Sequence, residues 1–105
     1  MLRGLKPRFV DIREDTLNID ENQIEHHLSA RTAAMSPVHY AGVPCQMDVI
    51  MRIAKKKNLF MVEDAAQALG AAFKGQKAGT FGDLNAFLAG RFLRSRNPHR
   101  VRLRL

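Results

Sequence analysis

The chain has 105 residues, 46% of them hydrophobic and 26% charged, with a formal net charge of +7. That length supports one small domain with one modest core, and the composition is that of a soluble globular chain rather than a disordered one. The charge invites comparison with nucleic-acid binders, but it is not a property of the domain: residues 1–87 hold 11 Lys+Arg against 10 Asp+Glu, whereas residues 88–105 hold six arginines and no acidic residue.

No apolar run approaches the ~20 residues needed to span a bilayer, and Met1–Pro7 has neither the apolar core nor the cleavage site of a signal peptide. The single cysteine, Cys45, cannot close an internal disulfide, and the cytoplasm is the expected compartment.

Pro7–Ile12 reads as a short strand, rich in aromatic and β-branched residues. Asp20 is a suitable N-cap with Gln23 three residues on, and Ile19 and Ile24 occupy the positions of a hydrophobic staple, so a helix is predicted over about 21–29. Ala33–His39 is predicted as strand, with Pro37 confining it to an edge or a strand end. Gly42–Gln46 is loop. Met47, Ile50, Met51 and Ala54 follow the i, i+3, i+4, i+7 pattern of a helix over about 47–57. Lys55, Lys56 and Lys57 complement its dipole, and Asn58 is suited to a left-handed stop. Leu59–Val62 is a continuous apolar run, expected to be a strand buried on both faces.

Beyond it, Ala65–Leu69 suits a short helical turn, residues 74–83 an exposed turn or hairpin, and Leu84–Ala89 a further strand. The five methionines mostly fall at apolar helix or strand positions and read as core. Strands alternating with helices predict a parallel α/β sheet.

Ligands in open parallel sheets bind beyond the carboxyl ends of the strands. Glu63 and Asp64 end the most apolar strand, so they occupy such a position. Asp64 and Gln67 are three apart and would share a face of a helical turn. A carboxylate and an amide on one face suit a ligand with a basic nitrogen and a neighbouring oxygen. The plainer alternative is that Glu63-Asp64 caps the following turn.

Val62-Glu63-Asp64-Ala65-Ala66-Gln67-Ala68-Leu69-Gly70-Ala71 resembles the cofactor segment of the DegT/DnrJ/StrS family of nucleotide-sugar aminotransferases. The resemblance continues through Leu2–Ile12, Thr16–Asp20, Pro37–Gly42, Cys45–Asp48, Lys74–Lys77 and Gly79–Asp83, so it covers residues 2–87 in order. It implies a partial parallel-sheet α/β large domain of the aspartate-aminotransferase type, holding pyridoxal 5′-phosphate. Asp64 then matches the aspartate that pairs with the pyridinium nitrogen, and Gln67 the residue that approaches the ring near its phenolic oxygen. The implied reaction is transamination of a keto-sugar nucleotide of the dTDP-4-keto-6-deoxyhexose type, with glutamate as donor, in lipopolysaccharide or cell-surface polysaccharide synthesis. Intact relatives would be homodimers.

Two parts of the family pattern do not appear. The phosphate-binding Gly-Thr segment would precede Met1, and the lysine that anchors the cofactor as a Schiff base would follow Asn85-Ala86-Phe87. No lysine follows Lys77, and arginine cannot take its place. The expectation is therefore an inactive part of the large domain over 1–87, followed by an arginine-rich divergent tail over 88–105. Because composition switches where the resemblance stops, we expect a reading-frame shift or rearranged gene end. Sequencing the locus and finding no lysine motif in another frame downstream would remove that idea.

The remaining signals carry less. His26, His27, His39 and Cys45 match no zinc spacing, so no metal is expected. His26 is expected to be exposed and His27 partly packed. Gly79-x-x-Gly82 is too short for a phosphate loop and reads as a turn. The Arg91–Arg104 stretch could make a non-enzymatic basic protein that binds nucleic acid through phosphates, but Phe92 is its only aromatic for stacking, and a solvated or out-of-frame tail is the favoured alternative.

Overall fold

A computed structural model describes residues 4–87 and the backbone of residues 94 and 95. The chain order is α1 (Ile24–His27), β1 (Ala34–Met35), a 3₁₀ turn (Tyr40–Gly42), α2 (Met47–Lys56), β2 (Phe60–Asp64), β3 (Ala72–Phe73), β4 (Gln76–Lys77), β5 (Leu84–Ala86) and β6 (Arg94–Ser95). Four strands form one sheet in the order β1-β2-β5-β6, and β3-β4 is a separate hairpin. β1, β2 and β5 run parallel, while β6 is antiparallel to β5. The expected α/β sheet with a parallel centre is therefore present.

α2 forms because its apolar positions line one side. Met47, Ile50, Ile53 and Ala54 are buried and pack with Leu59 and Met61 of the following strand region. Its stop is a Schellman motif: Leu59 N–H donates to Ala54 C=O at 2.8 Å and Asn58 N–H to Lys55 C=O at 3.2 Å. Asn58 takes φ 52 to make that reversal, as expected of a left-handed terminator. α2 then supplies the crossover that a parallel β1–β2 pair requires.

β2 alternates. Met61 and Glu63 are fully buried, whereas Phe60, Val62 and Asp64 are half-buried. The expectation of burial on both faces thus holds on one face among the described residues, the face covered by α2. β3 and β4 are joined by Lys74 and Gly75, both at positive φ. That is the twist a two-residue hairpin turn needs, and it realises the expected polar hairpin.

Three expectations are corrected. Among the described residues Pro7–Asp11 forms no ladder and Ile12 alone bridges Ile19, while Phe9 is 85% exposed. Aromatic and β-branched content fits a strand only where a partner strand completes the hydrogen bonds. The helix predicted over 21–29 is four residues long. Asp20 Oδ1 accepts from Asn22 N–H at 3.0 Å, an Asx turn rather than a helix cap, and Ser29 and Thr32 form a closed turn that ends the element. Such side-chain bonds compete with helix. Ala33–His39 pairs in two pieces, β1 and a bridge from Val38 to Asp64. Pro37 interrupts the ladder only as a donor, since its C=O accepts from Asp64 N–H at 2.9 Å.

Of the expected strand over 84–89, Leu84–Ala86 is observed; residues 88 and 89 lie outside the described residues. The arginine-rich segment 88–105 also lies outside them, apart from the backbone of Arg94 and Ser95. Met47 and Met61 are core, with Met35 and Met51 packed against it. No helix among the described residues is long and apolar enough to cross a membrane.

Candidate functional site

The strand period separates the two carboxylates that are adjacent in sequence. Glu63 lies in phase with Met61 and points inward; Asp64 falls on the other face, where it is half-buried. Two-residue alternation is the signal that could have told them apart.

Glu63 is fully buried and is met by four N–H donors. Oε1 accepts from His39 Nε2 at 2.8 Å and Gly79 N–H at 2.5 Å. Oε2 accepts from Phe81 N–H at 2.8 Å and Gly82 N–H at 2.9 Å. The Cys45 N–H donates to His39 Nδ1 at 3.0 Å, so Nδ1 carries no proton and the donor to Glu63 is Nε2–H. Burial pushes the Glu63 carboxyl up, but the bonds from His39, Gly82, Gly79 and Phe81 outweigh it and leave its pKa below the ordinary value. Glu63 thus clamps the loop after the hairpin onto β2. Gly82 is required there: a Cβ would lie 2.7 Å from Leu84 C=O and 3.0 Å from Glu63 Cβ. This resolves Gly79-x-x-Gly82 as a loop wrapped on an internal anion, not a ligand loop.

Asp64 is fixed by its backbone. Its N–H donates to Pro37 C=O at 2.9 Å, its C=O accepts from His39 N–H at 3.0 Å, and Ala65 N–H donates to Ala86 C=O at 2.9 Å. The end of β2 is therefore held on both sides. Asp64 Oδ1 accepts from Ala66 N–H at 3.0 Å, so the capping alternative describes one oxygen of this carboxylate. It does not describe Glu63.

Residues 65–71 make successive turns through Ala68 N–H to Ala65 C=O and Ala71 N–H to Ala68 C=O, each at 3.0 Å, and not a helix. Ala65, Ala68 and Ala78 pack together beneath them. The exposed Gln67 is held from another element: Ala41 N–H donates to its Oε1 at 2.8 Å. Gly42, with φ +82, sits so that a Cβ would be 3.3 Å from Gln67 C=O. Gly42→Ala is expected to cost about 1–2 kcal/mol, since a left-handed L residue carries roughly that penalty; a urea melt checks it, and an unchanged midpoint would count against the strained turn.

The other candidates are occupied elsewhere. Lys74 Nζ lies 2.6 Å from Asp48 Oδ2, and this bond leads the groups holding the Asp48 pKa down. The Cys45 thiol is buried, which pushes its pKa up to about 12, so it is not a nucleophile. His26 is exposed, His27 partly buried and His39 engaged as above. Among the described residues no group of His, Cys, Asp and Glu could hold a metal ion.

A carboxylate fixed at the carboxyl end of a central parallel strand occupies the position at which open α/β proteins of many classes bind ligands. Comparison with known proteins identifies which class. The sequence profile of the DegT/DnrJ/EryC1/StrS aminotransferase family matches residues 1–88, and the chain belongs to that family. It is 54% identical over 82 residues to an uncharacterised protein of Methanocaldococcus jannaschii, covering 78% of this chain and 21% of that one. It is 42% identical over 84 residues to GDP-perosamine synthase of Escherichia coli O157:H7, covering 80% and 23%. The crystal structure of the aminotransferase from Psychrobacter cryohalolentis superposes with a TM-score of 0.78 at 44% identity, covering 80% of this chain and 21% of that one. The chain thus spans between a fifth and a quarter of these relatives' length. Its fold is a partial parallel-sheet α/β domain of the aspartate-aminotransferase type.

Proposed function

We propose that this chain supplies one wall of a pyridoxal 5′-phosphate site used to transfer an amino group onto a keto-sugar nucleotide, and that it is inactive by itself. The observation that carries the proposal is Asp64: its backbone is bonded on both sides and its Oδ1 is tied to Ala66. An aspartate so placed fits a protonated pyridine nitrogen, because it offers a fixed anion with Oδ2 as a second acceptor. The cofactor, when bound, supplies an electron sink and a carrier for the amino group. Asp64 keeps the proton on the ring nitrogen. Gln67 donates to the oxygen on the ring. Glu63 reaches no ligand and holds the loop 79–82 in place.

The finer proposal is a dTDP-4-keto-6-deoxyhexose substrate with glutamate as donor, in lipopolysaccharide or cell-surface polysaccharide synthesis in the cytoplasm, the intact relatives acting as homodimers. A relative named GDP-perosamine synthase supports amination of a nucleotide sugar. Residues 1–87 are the working part and residues 88–105 a divergent tail without the anchoring lysine.

Pyridoxal phosphate titrated into the chain should give saturable absorbance changes and, after borohydride, no stoichiometric adduct on any one lysine. With glutamate and the keto-sugar nucleotide no amino sugar should form, while an intact relative makes it. A stoichiometric borohydride-fixed adduct on one lysine, or turnover by this chain, would overturn the claim of inactivity.

A further inference from the structure

We infer that Asn18 is a positioning residue: acting through the Tyr40–Gly42 turn, it sets the Gln67 carboxamide so that its NH₂ group, and not its oxygen, faces the ligand. The inference rests on the cofactor site proposed above and adds a residue to it.

Asn18 is 2% exposed, unusual for an asparagine. Both ends of its side chain are spent on one turn. Oδ1 accepts from Tyr40 N–H at 2.8 Å, and Nδ2 donates to Val43 C=O at 2.8 Å. These bonds bracket Ala41 and Gly42, which lie at φ 50 and φ 82. A non-glycine residue in the left-handed region persists only where its surroundings over-determine it, and Asn18 provides that constraint.

With the turn held, Ala41 N–H meets Gln67 Oε1 at 2.8 Å. An amide whose oxygen accepts a fixed backbone donor presents two N–H donors at its other end. A ring oxygen that carries negative charge needs a donor. An untethered surface glutamine would present either end and lose rotamer freedom on binding. Asn18 therefore acts on the ligand without touching it.

The test uses the full chain, with backbone-amide hydrogen exchange followed by NMR and a titration with pyridoxamine 5′-phosphate, which needs no lysine. Asn18→Ala should speed exchange of the Ala41 amide and weaken binding, each about tenfold, while the Ile50 and Met61 amides exchange as in the wild type. Asn18→Asp keeps the acceptor for Tyr40, loses the donor to Val43, and should fall between the two. Gln67→Glu keeps the acceptor for Ala41 but offers no donor; it should lose binding while Ala41 stays protected, which a merely structural role would not produce. Unchanged Ala41 exchange in Asn18→Ala, or wild-type binding by Gln67→Glu, overturns the inference. Failure of the wild type to bind, or wild-type binding by Asp64→Asn, overturns the cofactor site itself and is read separately from the Asn18 variants.

Discussion

Glu63→Ala should destabilise the domain by about 3–5 kcal/mol, because removing one partner of a buried charged network strands the others. It would leave four donors, from His39, Gly79, Phe81 and Gly82, without their acceptor in a site closed to water. Total stability of a domain this size is about 5–15 kcal/mol, so much of the population should unfold. Glu63→Gln keeps the volume but turns an N–H₂ group toward N–H donors, and should also be costly. Urea melts followed by circular dichroism would measure both; a midpoint shift of under about 1 kcal/mol for Glu63→Ala, the scale of an ordinary surface substitution, would show that the clamp does not hold the loop.

The same carboxylate sets an acid limit. Its folded pKa lies below the ordinary 4.5. A carboxylate so shifted contributes stability that is fully present above its unfolded pKa and lost as pH falls through the folded one. Stability should therefore decline as pH drops below about 4.5, and Glu63→Gln should flatten that decline. An equally steep acid limb in the variant would assign it to other carboxylates. Asp15, held down to about 2 first by its hydrogen bond to Arg13, is an exposed alternative, and Asp15→Asn is the control.

Asp64→Asn should leave folding nearly unchanged and weaken the proposed cofactor site. The asparagine oxygen still accepts from Ala66 N–H, so the turn cap survives. What disappears is the negative charge that, in the proposed site, would keep a pyridine nitrogen protonated. In an intact relative carrying the matching substitution, amination should fall on the order of 10²–10³-fold, the scale seen when one preorganised electrostatic partner is deleted. In this chain the substitution should weaken pyridoxamine phosphate binding without moving the urea midpoint. Turnover near the wild-type level in the relative would remove the role assigned to Asp64. A large loss of stability here would instead make Asp64 a structural residue.

Much of this was legible in the residues. The spacing of Met47, Ile50 and Ala54 specified α2, and Asn58 marked its end. The apolar run before Glu63-Asp64 marked the central strand. The ordered motifs from Leu2 to Phe87 pointed to the family that the profile match over residues 1–88 supports. These features are local, or are carried by residue identity, so a linear string preserves them.

Other features were not legible because they depend on which segments meet. Pro7–Asp11 has strand-like residues but no partner strand among the described residues, and propensity without a ladder does not make a strand. The clamp joins residues 39, 63 and 79–82, and nothing in their sequence spacing links a histidine, a glutamate and three backbone amides. Asn18 reads as a loop residue until the turn at Tyr40–Gly42 is laid against it.

The sequence by itself determined the α/β class, the helix α2, the position of Asp64 at a strand end and the absence of any lysine after Lys77. Tertiary structure alone decided the roles of the two adjacent carboxylates. The pleat turns successive side chains to opposite faces, so Glu63 entered a ring of donors and became a buried anchor, while Asp64 was left half-buried at the carboxyl end of β2.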